Sequence, residues 1–407
     1  MRDAKTQDAQ AIGETSAEPA SRLAALEASL KGGGPDEAIG RLIEDLEAAG
    51  NYRLLLDALL LKARRDLGLP LIQVGRLNDL PEPARSKFEE RYVEALRHVG
   101  GRLLESDDVP GAWPYFQAIG EPGPVTEALD RLQPPDDPDR VARVIEIAFH
   151  QGANITRGFD LILENYGACS AITLLEQLAP ADETIRAACV ERLIRHLHAQ
   201  LSDNLRHDIA RRGQPRPPEE ASIAELVADR DWLFGDEAYH IDVSHLSTVV
   251  RWSAMATDPE AVDLAIDLTE YGRRLSPRLQ YEGTPPFDRV FDDHRLFLKA
   301  IRGRDVDEGI DHFRAKLAAV ESTPDDPEST LPAQVLVNLL MRLECWDEAI
   351  DIAESALALI PEAMLVCPPI AELCQRAGRM DRLAEIAGRT DQPVHYLAAR
   401  IQAEAAS

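Results

Sequence analysis

The sequence predicts an all-α protein built from repeated helix pairs. Apolar residues recur with a helical period along nearly the whole chain, while alternating apolar and polar runs are scarce. Amphipathic stretches of about 10 to 20 residues are separated by short breaks rich in Pro, Gly and Asp. Several of the stretches also begin alike, as repeats do.

In chain order, residues 1–21 are polar and are expected to form a disordered tail, followed by N-terminal helical repeats over 22–133. The break KGGGP at 31–35 is expected to be a helix-to-helix turn, because it has neither the lysine nor the preceding strand of a phosphate loop. A helix follows at PDEAIGRLIEDL from Pro35, and another at PGAWPYFQAIG from Pro110. Beyond PPDDPD (134–139) a central helical region is expected over 141–320. Near its start Gly152 and Gly167 suit helix C-termini, with Thr156 and Ser170 as N-caps. From Asp182 a long helix is predicted to run to about Ile209, burying Ile185, Val190, Leu193, Ile194, Leu197, Leu201 and Leu205. RRGQPRPPEE (211–220) ends it. DRDWLFGDEAYH (229–240) reads as an inter-helix loop that packs on the core or edges a ligand pocket, although GDEAYHIDVSHL from Gly235 also admits a helix. The helices PEAVDLAIDL from Pro259 and VDEGIDHFRAKL from Val306 follow. After TPDDPESTLP (323–332), further hairpins are expected over 330–400, with WDEAIDIAESALALIP from Trp346 among them.

Most of these second helices carry acidic residues in the first turn, where the helix dipole favours them. All place a small residue about one turn in: Ala38, Ala112, Ala265, Gly309 and Ala349. A small side chain there lets two antiparallel helices approach closely. The stretch over 306–390 resembles the tetratricopeptide-repeat family. Leu336, Val337 and Leu340 stand at its first-helix positions, and Trp346, Ala349, Ala353 and Ala356 at its second-helix positions. Pro361 stands at the closing proline, and Leu383 falls 34 residues after Ala349, the family's period. The resemblance implies tetratricopeptide-like helix-turn-helix repeats forming a right-handed α-solenoid, and a surface that binds proteins or peptides.

Composition narrows the function. With 44 Lys and Arg against 71 Asp and Glu, the net charge of −27 excludes nucleic acid as the expected partner. No apolar run approaches the ~20 residues of a membrane helix. Only six of the basic residues are lysines, a skew expected of a GC-rich bacterial genome. Five cysteines without a C-x-x-C pair are expected to be reduced core residues of a cytoplasmic protein.

Chemistry is harder to place. Five of the ten histidines lie between His196 and His245, accompanied by Asp203, Asp208, Glu237 and Asp242. On a helix, His196, Gln200, Asp203 and His207 form one polar stripe. Glu237 and His240 have the Glu-x-x-His spacing of bundle metal sites. The metal candidates are therefore His196, Glu237, His240 and His245, and the acid–base candidates are His207, His240, Asp242, His245 and His294. The competing reading is that these histidines cap helices, pair with carboxylates or line a solvated groove. Asn154, Arg157 and Asn165 are candidates for holding an anion or a peptide carboxylate.

The expectation that follows is a protein- or peptide-binding helical-repeat scaffold with an acidic surface and no cofactor. The alternative is an enzyme with a His/carboxylate site in the central region, dependent on a divalent metal if the histidines converge. A third reading is a purely structural helical spacer.

Overall fold

The structure, a computed structural model, describes residues 19–72, 80–133, 137–178, 183–235, 238–320 and 327–405. The expected tail over 1–21 lies outside them except for its last three residues, which open the first helix. The described residues are all-α, with consecutive helices in contact, and the one β-type contact among them is an isolated bridge between Glu282 and Arg289. None of their helices is long and apolar enough to cross a membrane. The chain divides into two compact units, one ending at Leu161 and the other starting at Ile162.

The first unit contains α1 (Pro19–Ala48), α2 (Tyr52–Asp66), α3 (Ala84–Glu105), α4 (Val109–Ala118), α5 (Gly123–Arg131), α6 (Pro138–Ile145) and the start of α7 (Ile155–Gln177). From α1 to α5 each helix packs on the next. α1 is two helices joined at Gly34, whose φ of 85° only glycine adopts readily, so KGGGP is the expected turn. Side chains of Asn51, Asp108 and Asp137 cap α2, α4 and α6. The caps expected at Thr156 and Ser170 are corrected. Asn154 accepts the Arg157 N–H at the start of α7, and the Ser170 hydroxyl donates to the Tyr166 carbonyl four residues back. Gly167, with φ 77°, joins two helices within α7.

The second unit continues with α8 (Glu183–Arg211), α9 (Ile223–Val227), α10 (Val243–Trp252), α11 (Pro259–Gly272), α12 (Val290–Ile301) and α13 (Val306–Ala318). It ends with α14 (Leu331–Arg342), α15 (Trp346–Leu357), α16 (Ile370–Ala377), α17 (Met380–Arg389) and α18 (Pro393–Ala405). Helix α8 runs as expected and buries the expected face, apart from a half-buried Ile185. From α11 to α18 each helix packs on its successor.

The small residues act as their positions suggest. A Cβ on Gly309 would come within 2.7 Å of the Ala300 Cβ, so only glycine permits the α12–α13 approach. Ala112, Ala265 and Ala349 are fully buried, while Ala38 is only half-buried. The C-terminal hairpins share one apolar core that includes Val337, Ile350, Ala353, Cys374 and Leu383. None of the five cysteines forms a disulfide, but Cys169 is exposed, so the core expectation fails there. Burial pushes the Cys367 and Cys374 thiols up to about 11, which leaves them inert as nucleophiles.

Candidate functional site

The second unit has a cleft of about 930 Å³ between α8, α11 and the 216–224 segment that leads into α9. On α8, His198, Ser202 and Arg206 line it at four-residue spacing, so they share one helix face beside the apolar one. Across from them α11 contributes Asp263, Asp267 and Glu270.

Two anchors build this cleft. Arg206 is buried and donates to the carbonyls of Pro218 (3.2 Å), Glu219 (2.5 Å) and Ala221 (3.1 Å). A guanidinium carries five N–H donors in a fixed fork, and here three carbonyls of one segment absorb them. The proline-rich break after α8 is therefore folded back and clamped to the helix that precedes it. Asp267 is the second anchor. It accepts the N–H groups of Ile223 (2.6 Å) and Ala224 (2.9 Å), and its Oδ2 lies 2.8 Å from His198 Nε2. Both side chains of this His–Asp pair are largely buried. Ser222 and Glu225 complete a capping box at the start of α9.

The remaining charges on the cleft wall are mostly answered within the chain. Asp263 pairs with Arg302 and Arg304, and the Arg302 hydrogen bond holds its carboxyl below the usual range. Glu270 pairs with Arg273 and Arg295. Glu219 and Glu220 on the opposite lip are exposed and make no ion pair among the described residues.

No family model matches the chain, and no curated protein matches it.

The histidines expected to carry chemistry are dispersed over this unit. His240 does not lie on a helix, because α10 starts only at Val243 with Asp242 as its N-cap. His240 and His245 therefore do not share a helix. The His240 backbone N–H donates to the Tyr271 hydroxyl at 2.8 Å, and its Nδ1 lies 3.1 Å from the same oxygen. Its Nε2 lies 3.5 Å from Asp208. Burial holds the ring's pKa below the usual histidine value against the pull of Asp208. Burial by itself would raise Asp208, but hydrogen bonds from Arg211, His240 and Arg212 outweigh it and hold the carboxyl low. Burial pushes the Tyr271 hydroxyl up to about 12.

Asp242 accepts the N–H groups of Ser244 and His245, a capping role, and its hydrogen bond with the Ser244 hydroxyl leads the causes that hold its carboxyl low. His294 is a core residue: its ring stacks on Phe287 at 4.0 Å between centroids and its Nδ1 meets the Val290 carbonyl at 2.7 Å. His207 is exposed on the polar stripe of α8, and His196 is half-buried there with its pKa lowered by burial. Glu237 lies outside the described residues, among which no group of three or more His, Cys, Asp or Glu side chains could hold a metal ion.

The anion-holding set is taken up with local structure as well. In the first unit the Asn154 amide donates to Asp130, and an Arg157 N–H donates to the Leu132 carbonyl at 3.0 Å, tying the end of α5 to the start of α7. Asn165 is exposed and belongs to the second unit.

Sequence reasoning missed Ser202, Arg206, Asp267 and the two lip glutamates. One signal was present: His198, Ser202 and Arg206 are polar residues recurring every four positions along a helix with an otherwise apolar flank. Nothing local pointed to Asp267, which meets His198 across 69 residues of chain.

Proposed function

We propose that the chain is a helical-repeat scaffold that holds a protein or peptide partner, with the α8–α11 cleft as its docking site. The cleft itself carries the reading. It is large, open-sided and lined by polar side chains that are fixed in place by the chain's own hydrogen bonds, which suits an extended segment. The hairpins from α13 to α17 are taken as tetratricopeptide-like units of a right-handed solenoid. In support, Ala349 and Leu383, one period of 34 residues apart, are both buried in the same packing position. We propose a bacterial cytoplasm as its location, in keeping with cysteines that form no disulfide and with its arginine-rich basic complement.

The enzymatic alternative has less behind it. Both ring nitrogens of His240 already face protein partners, and His294 is sealed in the core. The test is to pan the full chain against a displayed random-peptide library and to measure the recovered peptides in solution. Peptides that saturate a single site and protect residues 198–224 from hydrogen exchange support the scaffold. A library that yields no saturable binder removes the reading.

A further inference from the structure

Resting on the scaffold reading, we infer that the cleft selects an extended peptide carrying an arginine or lysine, whose cationic head sits between Glu219 and Glu220 while its neighbouring backbone reaches the Ser202 hydroxyl.

The charge pattern gives the sign of the ligand. On the α11 wall, each carboxylate already has cations or N–H donors of its own: Arg302 and Arg304 at Asp263, His198 and two backbone amides at Asp267, Arg273 and Arg295 at Glu270. These groups shape the cleft and contribute little free charge. On the opposite lip Glu219 and Glu220 make no ion pair among the described residues, and Arg216, which lines the same cleft, sets one positive charge against their two negative ones. Arg206 does not offset the other, because Asp203, a further carboxylate lining the cleft, lies 3.5 Å from its guanidinium and takes up its charge. An excess of negative charge thus stands at the mouth, held on a segment that Arg206 keeps from swinging away.

The second observation is independent of charge. Ser202 is only 3% exposed, lines the cleft, and its Oγ has no hydrogen-bond partner. A buried hydroxyl without a partner is costly. In a helix the usual remedy is a bond to the carbonyl four residues back, as Ser170 makes with Tyr166. Ser202 forgoes it, so its hydroxyl is free to meet a group that enters the cleft. A peptide N–H or C=O satisfies that need, and the cationic side chain satisfies the lip. Together they favour a basic peptide segment over an acidic one.

The probe is a positional-scanning set of fluorescein-labelled hexapeptides in which one position is fixed as Arg, Lys, Glu or norleucine, read by fluorescence anisotropy on the full chain. The Arg- and Lys-fixed sets should bind roughly ten-fold more tightly than the Glu-fixed set, with a gap that narrows at high salt. E219Q/E220Q, on exposed side chains that leave the Arg206 clamp intact, should erase that gap. S202A, a near-isosteric change, should weaken all sets by about three-fold while keeping the preference. Binding that shows no charge preference, or a preference that survives E219Q/E220Q, overturns the inference and leaves the scaffold reading standing. If none of the sets binds, both fall together.

Discussion

The central helices α8–α13 and the C-terminal hairpins α14–α18 belong to one compact unit, yet they are held together by different means. In the described part of the central stretch, Arg206, Asp208, Asp293 and His294 are all buried. Among the described residues from α14 onward, Gln334 is the single buried polar side chain, and it is satisfied by Thr330 and the Val366 N–H. The hairpins place their charges outside, as in Arg379–Asp347 and Arg382–Asp351. The proposed repeat reading accounts for the contrast. On that reading each hairpin stacks on a copy of itself and needs only small and aliphatic contacts at a fixed spacing, so apolar packing suffices. A region with irregular loops must tie those loops down, and buried charges bonded to backbone groups do so. The cleft lies on the second kind of architecture.

The largest expected effect tests this difference directly. Asp293 is fully buried and accepts from the Arg289 N–H (2.8 Å), with His312 (2.9 Å) and Lys316 (3.3 Å) also on its carboxylate. Asp293→Ala leaves the Arg289 N–H and the His312 ring without their acceptor and takes from Lys316 one of its two carboxylates, the other being Asp288, and should destabilise α12–α13 by about 3 to 5 kcal/mol. Asp347→Ala removes an exposed, solvent-screened pair in the hairpins and should leave their stability almost unchanged. Hydrogen exchange on the full chain resolves the two regions separately. Equal losses of protection at both sites would break the comparison.

The contrast also sets which expectations could be read from sequence. The hairpins were legible because a local pattern decides them: Leu336, Val337, Ala349 and Ala353 are apolar or small at helical spacing, and all four are buried. The long helix α8 was legible for the same reason. The cleft was not, because it depends on pairings across the fold, such as His198 with Asp267 and Asn204 with the His240 carbonyl. Local context left His240 open between an inter-helix loop and a helix. Asp242 decides for the loop by bonding the Ser244 and His245 N–H groups, so the helix begins after His240. A capping aspartate and a mid-helix aspartate look alike until the neighbouring elements decide which backbone groups are left to bond.

A pH titration sharpens the comparison with a somewhat smaller effect. Burial drives the His294 pKa down from 6.5 to about 4, outweighing the pull of the Val290 carbonyl and Asp293. Its folded value therefore lies below its unfolded value. Between those values the unfolded chain binds a proton that the native chain refuses, so the stabilising contribution is complete above about pH 6.5 and is lost as the pH falls towards 4. The loss over that window should be roughly 3 kcal/mol. It should appear first around α12 and leave α15–α17, which hold no buried histidine, much less affected. NMR of the imidazole provides the check: a His294 ring that titrates near 6.5 would show that the central core is wetter than its packing implies.

The smallest effect lies in the hairpins and has the opposite sign. The residue before the N-cap of the second helix is left-handed at several hairpin turns: Gly50, Asp107, Glu344 and Gly378 have φ of 63°, 62°, 59° and 68°. Glycine takes this conformation without strain and aspartate tolerates it, whereas glutamate has no short side chain with which to bond its own backbone there. Glu344 is exposed and makes no ion pair among the described residues, so Glu344→Gly removes a strained Cβ and no pairing. Relief of about 1 kcal/mol of strain is partly offset by the greater freedom of glycine in the unfolded chain, which leaves a net stabilisation of a few tenths of a kcal/mol. The same change at Asp107 should be close to neutral, because Asp107 also pairs with Arg140. Slower exchange of the α14–α15 amides in Glu344→Gly, with the α8–α13 amides unchanged, is the expected outcome. If Glu344→Gly instead loosens the hairpin, the glutamate holds a contact that the turn geometry does not reveal, and the hairpins depend on more than packing at a fixed spacing.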